Sequence, residues 1–250
     1  MKQSLRKRIH EGECVVGCFQ KTPAHAIAEI LGLAGLDFAV ADMEHGPIGI
    51  ADLDRMALGA RSAGLPLLIR STGVVASAIW PALDLGCSGV MAPHVRNGAD
   101  AGALADAVRY GRGARGFSPS GRAGDYGTAV AVEYRQRMDA DNVIMAQIED
   151  ASALDELDAI AGNPDIDVLF VGPADLSLSL GCEMESPELD MAIDKVIAAA
   201  KRAGRAAGIF LGTPARFARW KDAGMTVFVI GSDQSLLLTS GKGIAALKGA

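Results

Sequence analysis

Short apolar runs and longer amphipathic stretches alternate along the whole chain. Brief aliphatic runs closed by glycine, proline or a polar residue predict buried strands. They fall at Cys14–Phe19, Phe38–Asp42, Pro66–Arg70, Gly89–Ala92, Val143–Glu149, Asp167–Val171, Ala206–Leu211 and Thr226–Ile230. Helical spacing predicts helices over 4–10, Pro23–Leu31, Ala51–Ala63, 74–85, 98–110, 128–139, Ala153–Ala161, Pro187–Ala203, Pro214–Ala223 and 232–247. Thr22 and Ser186 stand where N-caps belong, each with proline next, and Gly64 and Gly86 stand where helices stop. The stretch Gly111–Gly127 is glycine-rich and irregular, and carries Arg112, Arg115 and Arg122. A loop of that length in a compact domain is usually functional or mobile.

Strand–helix alternation without a composition break implies a parallel sheet in a single domain over 1–250. Eight such units in 250 residues match an α/β (β/α)8 TIM barrel, with a short helix ahead of it and a last helix behind it. A doubly wound open sheet is the alternative, and it lacks a Gly-x-Gly-x-x-Gly turn after the first strand.

Composition narrows the class further. Half the residues are hydrophobic and 22% are charged, enough for a large core. The net charge of -6 argues against nucleic acid as a main partner. The basic start Lys2, Arg6, Lys7 and Arg8 precedes no apolar h-region, and no run reaches the ~18 apolar residues of a membrane span. Cys14, Cys18, Cys87 and Cys182 show no Cys-x-x-Cys spacing and read as reduced thiols, which makes a cytoplasmic location the expectation.

In a barrel, polar residues at the carboxyl ends of strands converge on one face. There the chain places Asp42 and His45, Arg70, His94, Gln147 and Glu149, and Asp175, which follows Gly172-Pro173 directly. Glu149 and Asp175 come from neighbouring strands and are expected at matching depth. Two such carboxylates repel unless a cation lies between them, and two hard oxygen ligands suit Mg²⁺ or Mn²⁺. The alternative is that each acid caps a helix or pairs with an arginine. Arg70 can hold a carboxylate or an oxyanion, or pair with one of the acids. His45 has the chemistry of a proton carrier, with Asp42 and Glu44 near enough to orient it. The role of His94 stays open. Backbone N–H groups of Gly172, Ala174 and Asp175 can form an anion-binding nest.

Together, Asp42-Met43-Glu44-His45-Gly46-Pro47, Arg70, Leu83-Asp84-Leu85-Gly86, Gln147-Ile148-Glu149 and Phe170-Val171-Gly172-Pro173-Ala174-Asp175-Leu176-Ser177 resemble the HpcH/HpaI aldolases, which are metal-dependent pyruvate aldolases. The resemblance implies cleavage and formation of 4-hydroxy-2-oxo acids, giving pyruvate and an aldehyde. It implies that Glu149 and Asp175 bind a divalent metal, Mg²⁺ or Mn²⁺, with Co²⁺ and Zn²⁺ also admissible. Pyruvate chelates that metal and is held by Gln147 and the backbone around Gly172, Ala174 and Asp175. Arg70 then stabilises the enolate, and His45 relays the proton. Asp84, from a neighbouring subunit, raises the basicity of His45, and Asp42 supports the metal-bound water or the histidine. A homotrimer or homohexamer with an exchanged C-terminal helix is expected. One departure stands out: the usual Pro-Pro-x-Gly-x-Arg-Gly after Arg109-Tyr110 is here Gly111-Arg112-Gly113-Ala114-Arg115-Gly116. That leaves the loop's shape, and so the aldehyde preference, open.

Three rival readings remain. A Schiff-base aldolase needs a desolvated lysine, and only Lys21 lies near a strand's carboxyl end. A citrate-lyase-β-like acyl-CoA lyase needs a CoA site, for which Arg112, Arg115 and Arg122 are the available cations. A non-catalytic barrel module is expected to have lost its strand-end polar residues, and here they are present.

Overall fold

The computed structural model describes residues 3–249, so Lys2 of the basic start lies outside the described residues. The elements run α1 (Leu5–His10), β1 (Val15–Gln20), α2 (His25–Leu33), β2 (Phe38–Asp42), α3 (Ile50–Ser62), β3 (Leu67–Arg70), α4 (Ala76–Asp84), β4 (Gly89–Ala92) and α5 (Gly98–Val108). They continue α6 (Ala131–Asp141), β5 (Val143–Ile148), α7 (Leu157–Ala161), β6 (Val168–Val171), α8 (Pro173–Leu180), α9 (Pro187–Arg202), β7 (Ala206–Leu211), α10 (Phe217–Asp222), β8 (Val227–Ser232) and α11 (Asp233–Ala246). The eight strands pair in sequence order, all parallel, and β1 closes onto β8. The chain is a (β/α)8 barrel, as its alternation implies.

Side chains on a strand alternate between faces, and this parity divides the core in two. Inward positions such as Val15, Phe38, Val40, Leu68, Met91, Val143, Met145, Val168 and Phe170 fill the barrel, and Leu5 and Ile9 of α1 plug its floor. Outward positions pack beneath the helices in a larger layer. Bulky rings fit inside because glycine faces them. A Cβ on Gly17 would meet the Phe38 carbonyl oxygen at 2.6 Å, and one on Gly208 would meet the Phe170 ring at 2.8 Å.

Parity also decides what reaches the mouth. The strands whose inward faces fill the barrel with apolar side chains carry Phe19, Asp42, Arg70 and Phe210 at their carboxyl ends, with Gln147 at the end of β5 and Glu149 just past it.

Several elements differ from the pattern-based expectation, and the helices expected over Ala153–Ala161 and Pro214–Ala223 each open as a 3₁₀ turn, at Ala151–Asp155 and Pro214–Arg216. The second helix starts at His25 with Ala24 as its N-cap, not at Pro23 with Thr22. The reason lies in distant residues. Gln20 Nε2 donates to the Thr22 and Ala24 carbonyls, and the Asp233 carboxylate accepts from Lys21 N and Thr22 N, so 21–24 is pinned as a loop. The segment after Gly172 is a helix, α8, with Pro173 in its first turn and Gly181 in the left-handed conformation at its end. Proline at N1 initiates a helix because its missing N–H is one the helix never uses. The helix expected to reach residue 110 ends at Val108, and two short 3₁₀ turns follow, one at Tyr110–Arg112 leading into the irregular stretch and one at Arg122–Gly127 closing it.

Candidate active site

Asp42 and Arg70 are register partners on adjacent strands. The Arg70 Nε and Nη2 groups donate to the two Asp42 oxygens at 3.0 and 2.7 Å, and both side chains are buried. The guanidinium also lies over the Phe19 ring, 4.3 Å from its centroid. Burial pushes the Asp42 carboxyl upward. The hydrogen bonds and charge of Arg70, the His45 N–H and the Lys21 ammonium outweigh it, so Asp42 sits below the usual carboxylate range. Arg70 is thus both an ion-pair partner and a wall of the central cavity. Asp42 orients Arg70 and accepts the His45 backbone N–H at 3.1 Å, while the His45 ring lies beside a different acid.

That acid is Glu44. Its Oε2 is 3.7 Å from His45 Nε2 and 3.5 Å from Arg70 Nε, so it links imidazole and guanidinium. The sequence offered Asp42 and Glu44 alike as partners for His45, and the structure places the ring beside Glu44. His45 itself is more than half exposed.

Glu149 is almost fully buried. Its Oε1 accepts the His94 backbone N–H at 2.9 Å, and its Oε2 accepts a very short hydrogen bond from Gln147 Nε2. Burial drives the Glu149 carboxyl above its ordinary value. The charges of Asp175 and Glu44 act in the same direction, and the His94 N–H and ring oppose them. His94 meets Glu149 twice, through its backbone N–H and through its ring Nδ1, 3.4 Å from Oε1. It adopts a left-handed backbone, φ 54°, rare for a non-glycine residue, and that turn aims its N–H at Glu149. Its ring is 3.0 Å from Asp150.

Asp175 is in the first turn of α8, close enough that its charge bears on Glu149. The two acids are not at matching depth: Glu149 is buried, and Asp175 stands exposed at the rim. The displacement follows from α8, which lifts Asp175 off the strand end. The nest is also smaller than expected. Gly172 N–H already donates to the Ile148 carbonyl at 3.2 Å, leaving the first-turn N–H groups of Ala174 and Asp175, which have no carbonyl behind them. Gly172 matters for a different reason. A Cβ there would meet Glu149 Oε2 at 2.6 Å and Gln147 Nε2 at 2.8 Å.

A cavity of about 280 Å³ opens over this group, bounded by Phe19, Lys21, His45, Arg70, Gly172–Asp175 and Phe210. Among the described residues, no cluster of three or more His, Cys, Asp or Glu side chains is arranged to hold a metal ion alone. A two-carboxylate site fits all the same. Glu149 is an acid raised by its burial and, to a smaller extent, by the Asp175 charge, and the Gln147 Oε1 atom is buried without a hydrogen-bond partner. Both are hard oxygens suited to a divalent cation and its ligands.

Asp84 lies elsewhere in this chain. It ends α4, and helices run back toward the amino ends of the strands, so it sits at the opposite end of the barrel from His45, paired with Arg115 at 2.9 Å. Cys18 and Cys87 are buried, and burial pushes both thiols up to about 12, so neither is a nucleophile near neutral pH.

The fold and site define a class: a TIM barrel whose mouth opposes a buried arginine to paired carboxylates. The model of the HpcH/HpaI aldolase/citrate lyase family matches residues 16–240, and the chain belongs to that family. A hydroxypyruvate/pyruvate aldolase of Roseobacter denitrificans is 33% identical over 97% of this chain and 96% of its own. A 2-dehydro-3,6-dideoxy-6-sulfogluconate aldolase of Pseudomonas putida is 34% identical over 94% of this chain and 92% of its own. A crystal structure of a family member from Burkholderia cenocepacia superposes with a TM-score of 0.93 at 30% identity, covering 98% of this chain and 99% of that one. These relations support reading the chain as a lyase of the aldolase type.

Proposed function

We propose that the chain is a divalent-metal-dependent aldol lyase that cleaves and forms 4-hydroxy-2-oxo acids, with pyruvate and an aldehyde as the products of cleavage. The observation that carries this reading is that Arg70 and Asp175 line one cavity, with the hydrogen-bonded Gln147 and Glu149 side chains packed directly against Gly172 in its wall, in a chain of this family. Glu149 and Asp175 would hold the metal, Mg²⁺ or Mn²⁺, and the bound cation would supply Lewis-acid polarisation of the 2-oxo acid.

The chain's own groups account for the rest. Gln147 and the Ala174 and Asp175 N–H groups hold the 2-oxo acid. A base takes the proton from the 4-hydroxyl, the bond between C3 and C4 breaks, and the electron pair moves to the keto oxygen. Arg70, already locked on Asp42 and Phe19, donates its remaining N–H edge to that developing oxyanion without reorganising. His45 relays the proton to C3 that completes pyruvate. Asp84 of a neighbouring subunit is proposed to support His45. A trimeric or hexameric assembly with α11 exchanged is supported by the exposed Leu237, Leu238, Ile244 and Leu247. Among the described residues, no helix is long and apolar enough to cross a membrane. A cytoplasmic location, with small molecules rather than nucleic acid or membrane as partners, completes the proposal.

Two observations bear on the rivals. Arg112 pairs with Asp106 and Asp165, Arg115 with Asp84, and Arg122 with Asp54, so those cations are engaged and do not favour a CoA groove. Lys21 does line the cavity, which keeps a Schiff-base route in view, but its ammonium is 3.3 Å from Asp42 in an ion pair.

The test is pyruvate release across a panel of 4-hydroxy-2-oxo acids, with chelation and metal add-back. Chelator is expected to abolish release and metal to restore it, whereas inactivation by borohydride plus substrate would mark a lysine adduct. Arg70→Ala is expected to fold and to lose ~10²–10³-fold in kcat. Near wild-type turnover would refute the role given to Arg70.

A further inference from the structure

The connection from β4 to α5 carries strain next to the acids of the mouth. β4 ends at Ala92, and α5 begins at Gly98 with Asn97 as its N-cap. Between them the backbone passes through His94 at φ 54°, in the left-handed region. A side chain makes that region costly, whereas glycine occupies it freely. A residue held there is constrained by its surroundings, and such positions gather at functional sites.

The constraint comes from both sides of the turn. The His94 ring Nδ1 is 3.0 Å from Asp150 Oδ2, and Arg96 Nε reaches the same oxygen at 3.2 Å. On the core side, the buried Val95 donates its N–H to the Gln147 carbonyl at 3.3 Å. Ring and core thus tie the turn to the end of β5, and the His94 N–H between them donates to Glu149 Oε1 at 2.9 Å. A donor on a backbone anchored at both ends cannot swing away as a side-chain donor can.

The two oxygens of Glu149 are therefore not equivalent. Oε1 lies against His94, with the N–H on it and the ring Nδ1 3.4 Å away. Oε2 is turned toward Gly172, the N-cap of the helix that carries Asp175, since a Cβ on Gly172 would lie 2.6 Å from it. Gln147 Nε2 donates to Oε2, and a carboxylate oxygen keeps a second lone pair for a cation. We propose that His94 is a positioning residue for the divalent cation: its left-handed turn holds Glu149 Oε1 and leaves Oε2 on the side of α8 and Asp175. The inference rests on the reading of Glu149 and Asp175 as the metal ligands.

The experiment is calorimetric titration of Mn²⁺ into the metal-free protein at one fixed pH, for wild type, His94→Val, His94→Ala and His94→Gly. All the variants lose the ring, and they differ in what a left-handed backbone costs them, most for β-branched valine and least for glycine. Thermal unfolding of the metal-free chains checks the fold. His94→Val is expected to bind Mn²⁺ at least about tenfold more weakly than wild type, the scale of one lost hydrogen bond to a charged group. His94→Gly is expected to recover most of that loss and His94→Ala to fall between. If the valine chain does not fold, alanine against glycine carries the same comparison. Equal affinity in all the proteins would overturn the inference, because the turn would then serve only to lead β4 into α5. An equal loss in every variant would overturn it too, by placing the effect in the ring. Mn²⁺ binding by Glu149→Gln as tight as wild type would overturn the inference together with the metal-ligand reading beneath it. The expected graded loss, in a protein that releases pyruvate from no 4-hydroxy-2-oxo acid, would uphold the inference and count against the aldolase reading alone.

Discussion

Gly172→Ala probes the site through a single methyl group. The backbone there is not left-handed, with φ at -97°, so the substitution brings no torsional strain. The methyl would start 2.6 Å from Glu149 Oε2 and 2.8 Å from Gln147 Nε2, where ordinary contact begins near 3.4 Å, so the carboxylate must retreat by about 0.8 Å. Glu149 has little freedom to do so, since its other oxygen is tied to the His94 N–H. Overpacking of this kind costs about 1–3 kcal/mol of stability. The catalytic penalty should be larger than that implies, because a shift near 1 Å at a reacting centre can cost about 10²-fold in rate. The assay pairs thermal unfolding with kcat/KM for pyruvate release. We expect a folded enzyme with modestly lower stability and activity down by about two orders of magnitude. Activity within threefold of wild type would refute the claim that Glu149 and Gln147 must occupy these positions.

Two further predictions concern stability. Asp167 is fully buried at the barrel floor and accepts from Arg6, His10, Arg109 and Ile144 N. Burial pushes its carboxyl up, but these partners outweigh it and hold it below its ordinary value. A lowered acid contributes stability above its unfolded pKa of about 3.9 and loses it as pH falls through the folded value. Asp167→Asn should therefore cost about 3 kcal/mol at pH 7, some 6–12 °C in Tm, with the gap to wild type closing below about pH 4. A pH-independent gap in unfolding measurements would contradict this. Gly102 lies inside α5, and a Cβ there meets nothing within 4 Å. Gly102→Ala should stabilise by about 0.5–1 kcal/mol in a denaturant titration, and destabilisation would show a contact absent from the single chain.

What could be read from sequence was whatever depends on local period. Strand runs of fixed parity put Asp42, Arg70 and Gln147 at the mouth and Phe38 and Phe170 in the barrel, and these positions follow from alternation alone. Helix α8 escaped because Gly172-Pro173 reads equally as a turn, and only the proline's N1 preference favours a helix. The start of α2 was missed for a different reason: Asp233 fixes the loop from more than two hundred residues away, beyond any window of local pattern. Lys21 was placed near the mouth by its position just after the first strand, and the structure adds its ion pair with Asp42. Sequence named both Asp42 and Glu44 as partners for His45, and coordinates were needed to put the ring beside Glu44 and to show the His94 backbone N–H on Glu149, because both depend on what touches what. Asp84 belongs with neither group, since the role its motif implies needs a second subunit.

The central claim is that Glu149 and Asp175 together grip one divalent cation, and Mn²⁺ binding followed by electron paramagnetic resonance tests it most directly. Wild type should bind one Mn²⁺ per chain at the mouth. Glu149→Gln and Asp175→Asn should each remain folded and lose that site. If both variants bind Mn²⁺ with wild-type stoichiometry and affinity, the cation is held elsewhere and the account of the site is wrong.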